Sequence, residues 1–317
     1  MSVIQALLLG LVQGITEFLP VSSSGHLAIL ENLFQIKNQT GFTFEVLLHI
    51  GTLGAILAAF WQDLKRLFLE GCKMLYDAFE NLKTYFHNRN QQDARRYRKL
   101  ISNNYRKLLL LLAVTTLSTA IMGFLLEGGA AQAKENLLAP AMGFFFTGVF
   151  LLVVDFFPAG NKIPKDVGWT AALAIGIVQG IAVFPGISRS GITIALCLLL
   201  GFNKKFAVKY SFLAAVPTVV GAAVLELSQN GGKGLSPEII GTYGISALAA
   251  GIVGYFCIKM MLKKDLFILQ CTVFWRVLQQ WFVILYYEGR DDGWRQPEKI
   301  TGIKKVQNQE KENSLRK

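Results

Sequence analysis

Charged residues are scarce in this sequence, and their scarcity argues against a soluble fold. Asp, Glu, Lys and Arg make up 17% of the 317 residues, 52% are hydrophobic, and the mean hydropathy is +0.41. A typical soluble domain carries about 25% charged residues. A soluble helical protein would have to bury every long apolar block of this chain in one core. We therefore expect an all-α polytopic membrane protein.

Other absences remove further classes of protein. The four cysteines form no CxxC pair and have no metal-ligand spacing, which predicts packing roles for them. The opening MSVIQALLLG lacks the basic region of a cleavable signal. The net charge of +11 would suggest nucleic acid on a soluble surface, but here it is concentrated in loops. It therefore indicates topology, and nothing predicts nucleic-acid binding.

The basic loops predict the orientation, because positively charged loops stay on the cytoplasmic side. Residues 62–107 carry eleven Lys or Arg against five Asp or Glu, and three shorter loops are also basic. We expect about six full transmembrane helices, at residues 42–61, 108–126, 137–157, 206–227, 238–258 and 266–287. Segment 168–201 has basic loops at both ends, so it must return to the side it entered, as a re-entrant hairpin.

An internal repeat extends this prediction to the start of the chain. Residues 6–25 align without gaps on residues 172–191, with eleven of twenty positions identical. The first copy should then be re-entrant as well, and three crossings separate the two hairpins. An odd number of crossings predicts an inverted-topology repeat, which places a polar site where its broken helices meet. The predicted units are a membrane domain over 1–288, with repeats over 2–61 and 168–227 and a basic cytoplasmic loop over 62–107, and a polar tail over 289–317.

The first hairpin contains the stretch QGITEFLPVSSSGHL, which is unusually polar for an apolar segment. Gln13 and Glu17 are four residues apart and share a helix face. Pro20 breaks the helix. His26 lies in the first turn of the next half-helix, after three hydroxyl side chains that can cap it: Ser22, Ser23 and Ser24.

The second hairpin contains FPGISRSGIT, in which Pro185 and Gly186 break the helix. Each half-helix N-terminus offers free N–H groups that favour anions. Arg189 adds a planar guanidinium suited to phosphate oxygens. Three hydroxyl side chains lie beside it: Ser188, Ser190 and Thr193. Together the two tips predict a phosphate-handling site inside a membrane.

The residues leave several roles open. Glu17 could hold a divalent cation or act as a base. His26 could be base, acid or nucleophile, and a serine hydroxyl could attack if a base activated it. For Ser22 and Ser24, hydrogen bonds back to their own helix are an equal alternative.

Other polar residues in the apolar segments give weaker predictions. Glu45 and His49, again four apart, either support the site as a pair or face the cavity. Arg276 either anchors helices or extends the anion site. Gln13 and Gln179 occupy equivalent repeat positions, which favours a scaffold role, although Gln13 shares the face of Glu17.

The motifs QGITEFLPVSSSGHL and PGISRSGIT resemble the two signature motifs of bacterial undecaprenyl pyrophosphate phosphatases of the bacitracin-resistance type. The first is (Glu/Gln)-x-x-x-Glu with a Ser-rich Gly-His turn, and the second is Pro-Gly-x-Ser-Arg-Ser-x-x-Thr. Both match fully, and the resemblance covers the chain to about Tyr287. Position 13 is Gln rather than Glu, so a metal site that uses two carboxylates would lose one.

The resemblance implies a hydrolase of the bacterial cytoplasmic membrane that removes one phosphate from undecaprenyl diphosphate and recycles the carrier lipid for peptidoglycan synthesis. It implies Glu17, Ser23, His26 and Arg189 as the catalytic residues, with the other tip residues binding substrate. It also implies a site open to the extracytoplasmic side and dependence on a divalent cation, Mg or Ca. The nucleophile stays open between Ser23 and His26, and a homodimer is not decided.

An inverted repeat alone would favour a rival class, a transporter or flippase of an anionic lipid. A transporter needs groups that bind anions but no nucleophile and no pair of groups that transfers a proton. The cluster of Glu17, Ser23 and His26 therefore favours catalysis, and a dual role is left open.

Overall fold

The computed structural model describes residues 1–34, 36, 42–90, 95–133, 138–157, 160–230 and 237–263, and these residues confirm the all-helical prediction. One short 3-10 turn, Pro164–Asp166, is the exception to α-helix among the named elements. The ten α-helices are α1 Val3–Phe18, α2 Ser23–Leu33, α3 Phe42–Ala59, α4 Trp61–Asn90, α5 Asn104–Ala133, α6 Leu138–Asp155, α7 Trp169–Ile181, α8 Arg189–Leu199, α9 Lys204–Asn230 and α10 Pro237–Lys263.

Three of these helices are long and apolar enough to cross a membrane: Asn104–Ala133, Lys204–Leu225 and Gly241–Lys263. Helices α3 and α4 together would make a fourth span, but they meet at a bend of 83°. The segment predicted at 266–287 and the tail over 289–317 lie outside the described residues. The protein is a multi-pass membrane protein, and the number of six spans stays a prediction.

Two broken helix pairs occupy the positions of the predicted repeats. Helices α1 and α2 have 16 and 11 residues, and α7 and α8 have 13 and 11. At 1.5 Å per residue each is about 16–24 Å long, which is shorter than the hydrocarbon core of about 30 Å. The chain reverses with a positive φ at Ser22 (65°) and Gly186 (86°). The inverted orientation of the two pairs stays a prediction.

Small residues let the helices around these pairs approach closely, as is usual for helices packed in membranes. Helix α1 packs along α10 at Gly14, where a methyl group would lie 3.0 Å from Cβ of Val253. Helix α5 packs along α7, and Thr115 of α5 donates a hydrogen bond to the carbonyl of Ala172 at 2.9 Å. Each half of the chain therefore holds its broken helix against a long one.

The basic segment 62–107, predicted as a loop, contains a 30-residue helix in the structure. Helix α4 runs over Trp61–Asn90. The sequence explains the helix, because apolar residues recur every three to four positions over its whole length. The high charge of the segment had obscured this pattern.

Candidate active site

The tips of the two broken helix pairs meet and hydrogen-bond directly. Ser190, in the first turn of α8, donates from Oγ to the carbonyl of Glu17 at the end of α1, at 3.0 Å. Each second half-helix has a serine cap, as predicted. Ser22 Oγ accepts from Gly25 N at 3.4 Å, and Ser188 Oγ accepts from Gly191 N at 3.1 Å. The N-termini of α2 and α8 both line one cleft, which favours an anionic ligand.

Glu17 is the centre of the site and joins the two repeats electrostatically. Its carboxylate is 9% exposed and forms an ion pair through Oε1 with Nη2 of Arg189. Its other oxygen, Oε2, accepts from Ser23 Oγ at 2.6 Å and from Gln13 Nε2 at 3.2 Å. The structure therefore brings together three of the four residues predicted as catalytic.

His49 belongs to this cluster. Its Nδ1 lies 2.9 Å from Nε2 of Gln13 and 3.6 Å from Oε2 of Glu17. Gln13 is fully buried and bridges the carboxylate and the imidazole. Glu45, one turn earlier on α3, lines the same cleft. Glu45 and His49 thus both line the cleft, which was one of the two alternatives for them, and their role as a supporting pair stays a prediction.

His26 lies one turn into α2 and has a different environment. Its Nδ1 lies 2.6 Å from the carbonyl oxygen of Ser22. A carbonyl oxygen only accepts, so Nδ1 carries the proton. The ring packs edge-on against Phe144, with centroids 5.3 Å apart. The residues that line the cleft include Glu17, Ser23 and Arg189 but not His26.

The cleft between the tips has a volume of about 210 Å³. Pockets that enclose a drug-sized ligand have about 300–1,000 Å³, so this cleft suits a polar head group rather than a whole lipid. Its polar lining residues are Thr16, Glu17, Ser22, Ser23, Ser24, Glu45, His49, Ser188, Arg189, Ser190 and Thr218.

The remaining predicted residues lie behind this lining or outside the described chain. Thr193 donates to the carbonyl of Arg189 at 2.7 Å and lies 2.5 Å from the hydroxyl of Ser211, so it supports the first turn of α8. Gln179, the repeat counterpart of Gln13, donates to the carbonyl of Ala214 at 3.3 Å, as a scaffold residue would. Arg276 lies outside the described residues.

Two polar residues of α9 complete the site and were not predicted. Thr218 lines the cleft, and Ser211 holds Thr193. The repeat gave a weak signal for Thr218, because Thr52 is its counterpart. Ser211 lies in an apolar stretch where nothing local distinguishes it from a serine bonded to its own helix.

The donor set decides what kind of cation the site can accept. Within the described part of the chain, no group of three or more His, Cys, Asp and Glu residues could hold a metal ion. Glu17 and Glu45 are the carboxylates on the cleft, and both oxygens of Glu17 already accept donors from the protein. These residues do not form a protein cage. They do fit a hard cation that takes its other ligands from phosphate and water, as Mg²⁺ usually does.

The fold and the site define a polytopic membrane protein with a buried carboxylate, an arginine, a serine hydroxyl and two helix N-termini around one cleft. Residues 6–274 match the family described as bacitracin resistance protein BacA. The chain belongs to this family.

Proteins named undecaprenyl-diphosphatase are similar over most of both chains. One from Methanosphaera stadtmanae is 36% identical over 286 residues, covering 86% of this chain and 95% of its own. One from Alkaliphilus metalliredigens is 34% identical, with coverages of 83% and 90%. One from Thermosipho melanesiensis is 35% identical, with coverages of 80% and 88%.

Proposed function

We propose that the protein is an undecaprenyl-diphosphate phosphatase, which hydrolyses undecaprenyl diphosphate to undecaprenyl phosphate and inorganic phosphate. The observation that carries this function is the contact of Ser23 Oγ with Glu17 at 2.6 Å, beside the Arg189 guanidinium. A nucleophile, a base and an anion-binding group are thereby assembled in one cleft. Membership of the family supports the same activity, and recycling of the carrier lipid for peptidoglycan synthesis follows from it.

The head group would bind between the two half-helix N-termini and Arg189. A guanidinium has five N–H donors in a planar fork, and Nη2 is the nitrogen that contacts Glu17. The same side chain can therefore hold the carboxylate and a phosphate oxygen together. With the diphosphate in the cleft, the prenyl tail would extend into the apolar surroundings of the helices.

Hydrolysis would proceed in two steps through Ser23. Its Oγ attacks the terminal phosphorus while its proton passes to Glu17, and the bond from phosphorus to the bridging oxygen breaks to release undecaprenyl phosphate. Water then attacks the phosphoserine, the phosphorus–Oγ bond breaks, and phosphate leaves as Ser23 recovers a proton from Glu17. Arg189 stabilises the charge that builds on the phosphoryl oxygens in both steps.

In this proposal His26 is a positioning residue. Its Nδ1–H holds the carbonyl of Ser22, the residue with positive φ at which the chain turns into α2. This contact sets the direction of the first turn of α2 and therefore the place of Ser23. Attack by His26 itself remains the competing assignment, and it would require His26 to enter a cleft that it does not line.

We further propose that a divalent cation, Mg or Ca, would be held with the diphosphate by Glu17 and Glu45, the two carboxylates that line the cleft. When bound it would neutralise charge on the phosphate oxygens. The support is the presence of two carboxylates on the cleft. A chelator should lower turnover, and added cation should restore it.

The location of the cleft supports a site open to the extracytoplasmic side of the bacterial cytoplasmic membrane. Thr218 lies 14 residues into α9 from its basic end at Lys204, and Glu45 lies 14 residues before the end of α3 at Ala59. At 1.5 Å per residue both are about 21 Å from the basic side. In a hydrocarbon core of about 30 Å, this distance supports a cleft in the half of the bilayer away from the basic loops.

Phosphate release from undecaprenyl diphosphate by the purified protein in detergent tests the proposal. Wild type should release phosphate, and Glu17→Gln, which keeps the shape of the side chain but not its charge, should not. The rival function is transport of an anionic lipid. Movement of the lipid across vesicles with no phosphate release by wild type would favour that rival.

A further inference from the structure

Helix α4 carries an apolar face that the described part of the chain leaves open. At 100° per residue, the six members of this face lie within about 60° of one another, and Phe68 and Phe86 lie near its centre. Their side chains are between 53% and 71% exposed. They are Trp61, Phe68, Leu75, Phe79, Leu82 and Phe86.

The opposite face of α4 is polar and forms hydrogen bonds with the chain segment that returns to α5. Asn88 Oδ1 accepts from Arg95 N at 2.8 Å, and Asn81 Oδ1 accepts from Arg98 N at 2.7 Å. Glu70 accepts from Asn103 Nδ2 at 2.9 Å. The helix between Glu70 and Asn88 is as long as the extended segment between Arg95 and Asn103, because 18 helical residues and eight extended ones each span about 26–27 Å. The return segment thus covers the polar face and leaves the apolar face uncovered.

The path of α5 shows which way the apolar face points. At its start, Arg106 of α5 pairs with Glu70 and Asp77 on the polar face of α4. One turn later, Leu109 lies beside Gly71, on the flank of α4 between its two faces. The membrane-spanning part of α5 therefore extends towards the side of α4 on which the apolar face is exposed.

We propose that α4 lies in the lipid–water interface of the membrane that α3 and α5 enter, with its apolar face in the acyl-chain boundary. The bend of 83° between α3 and α4 turns the chain from the direction of α3 to one nearly perpendicular to it. A face rich in Trp, Phe and Leu, with polar groups on the far side, is what interfacial helices present to lipid. The lipid that surrounds α3 and α5 would thus also cover the apolar face of α4.

The shape of the face favours lipid over a second copy of the chain. Tyr76 and Leu69 are 56% and 47% exposed and widen the face to about 140°, whereas a coiled-coil seam is a narrow stripe. Lys65 and Lys83 are exposed inside this wider arc, at about 40° from Phe79. At that distance a lysine can place its stem along the apolar boundary and its ammonium in the head-group layer.

Depth-dependent quenching of a fluorophore tests this proposal on the full chain in lipid vesicles. Cys197 and Cys257 are buried, so a variant with Cys72→Ser and Cys271→Ser accepts a bimane label at one added cysteine. Leu75→Cys and Phe79→Cys report the apolar face. Ser102→Cys is the matched control, because Ser102 is exposed on the return segment.

Lipids with a nitroxide near the head group should quench the labels at 75 and 79 at least about threefold more strongly than the label at 102. Aqueous iodide should show the opposite order. Equal quenching by lipid at the three positions would overturn the proposal. So would protection from iodide without lipid quenching, accompanied by disulfide cross-linking of Leu75→Cys between copies, because that result identifies a second chain as the occupant.

Discussion

Removal of the Arg189 guanidinium should lower both kcat and Tm, and the two effects can be measured separately. In Arg189→Ala the Glu17 side chain, 9% exposed, keeps its hydrogen bonds from Ser23 and Gln13 but loses the guanidinium that pairs with it. Loss of one partner of a buried pair costs about 3 kcal/mol. At roughly 2–4 °C per kcal/mol, Tm should fall by about 6–12 °C. Loss of charge stabilisation at the phosphate should lower kcat by about 10²–10³.

A second change separates the two effects. Adding Glu17→Gln to Arg189→Ala removes the uncompensated charge, so more than half of the lost Tm should return while turnover stays lost. Phosphate release at saturating undecaprenyl diphosphate measures kcat, and intrinsic fluorescence during heating measures Tm. Arg66→Ala is the control, because Arg66 is an exposed arginine on α4 away from the cleft.

Two results would contradict these roles of Arg189. Turnover of Arg189→Ala within tenfold of wild type would remove Arg189 from the chemistry. A double variant no more stable than Arg189→Ala would show that the charge of Glu17 is not what Arg189 compensates.

Three further predictions concern the serine pair, the α4 contact and the helix approach. Ser23→Ala should lower phosphate release by at least about 10³, whereas Ser24→Ala, its neighbour on the cleft, should stay within about tenfold; equal losses would contradict a nucleophilic role. Hydrogen bonds from Asn103, Arg106 and Lys73 lower the pKa of Glu70 on α4 to about 2. The ionised Glu70 therefore stabilises the contact between α4 and the return segment above its unfolded pKa of about 4.5, and this stabilisation is lost as the pH falls through the folded pKa. A spin label at Ser102 should accordingly gain mobility between pH 4.5 and 2 and not between pH 8 and 5. A methyl at Gly143 would lie 2.7 Å from Ile187 N, whereas Gly54 has open space; Gly143→Ala should cost about 1–3 kcal/mol, Gly54→Ala should not, and equal Tm values would contradict the close approach.

The sequence predicted the local features of the fold well because each depends on neighbouring residues. Pro20 and the serine run predict the break and the cap of α2, and Pro185 with Gly186 predicts the same before α8. The gapless repeat predicted that both breaks would have the same form. It did not predict the helical nature of the 62–107 segment, where the charge count concealed an apolar periodicity.

The sequence predicted the site residues whose charge is costly to bury in a membrane. It did not predict the contacts that depend on how the helices pack. A carboxylate and a guanidinium in apolar segments indicate function on their own, and Glu17 and Arg189 do meet. His49 contacts Gln13 across a separation of 36 residues, and Ser211 contacts Thr193 across a separation of 18 residues. These contacts depend on how α3 and α9 pack around the tips, which no local pattern records.

Trapping of the phosphorylated enzyme is the most direct test of the central claim that Ser23, activated by Glu17, attacks the phosphorus. The protein would be quenched in denaturant at neutral pH, where both phosphoserine and phosphohistidine survive, during turnover of undecaprenyl diphosphate, and then digested and mapped by mass spectrometry. We expect an acid-stable phosphate on Ser23 that is absent from Ser23→Ala and Glu17→Gln. A phosphate on the imidazole of His26 or His49, with Ser23 unmodified, would contradict it.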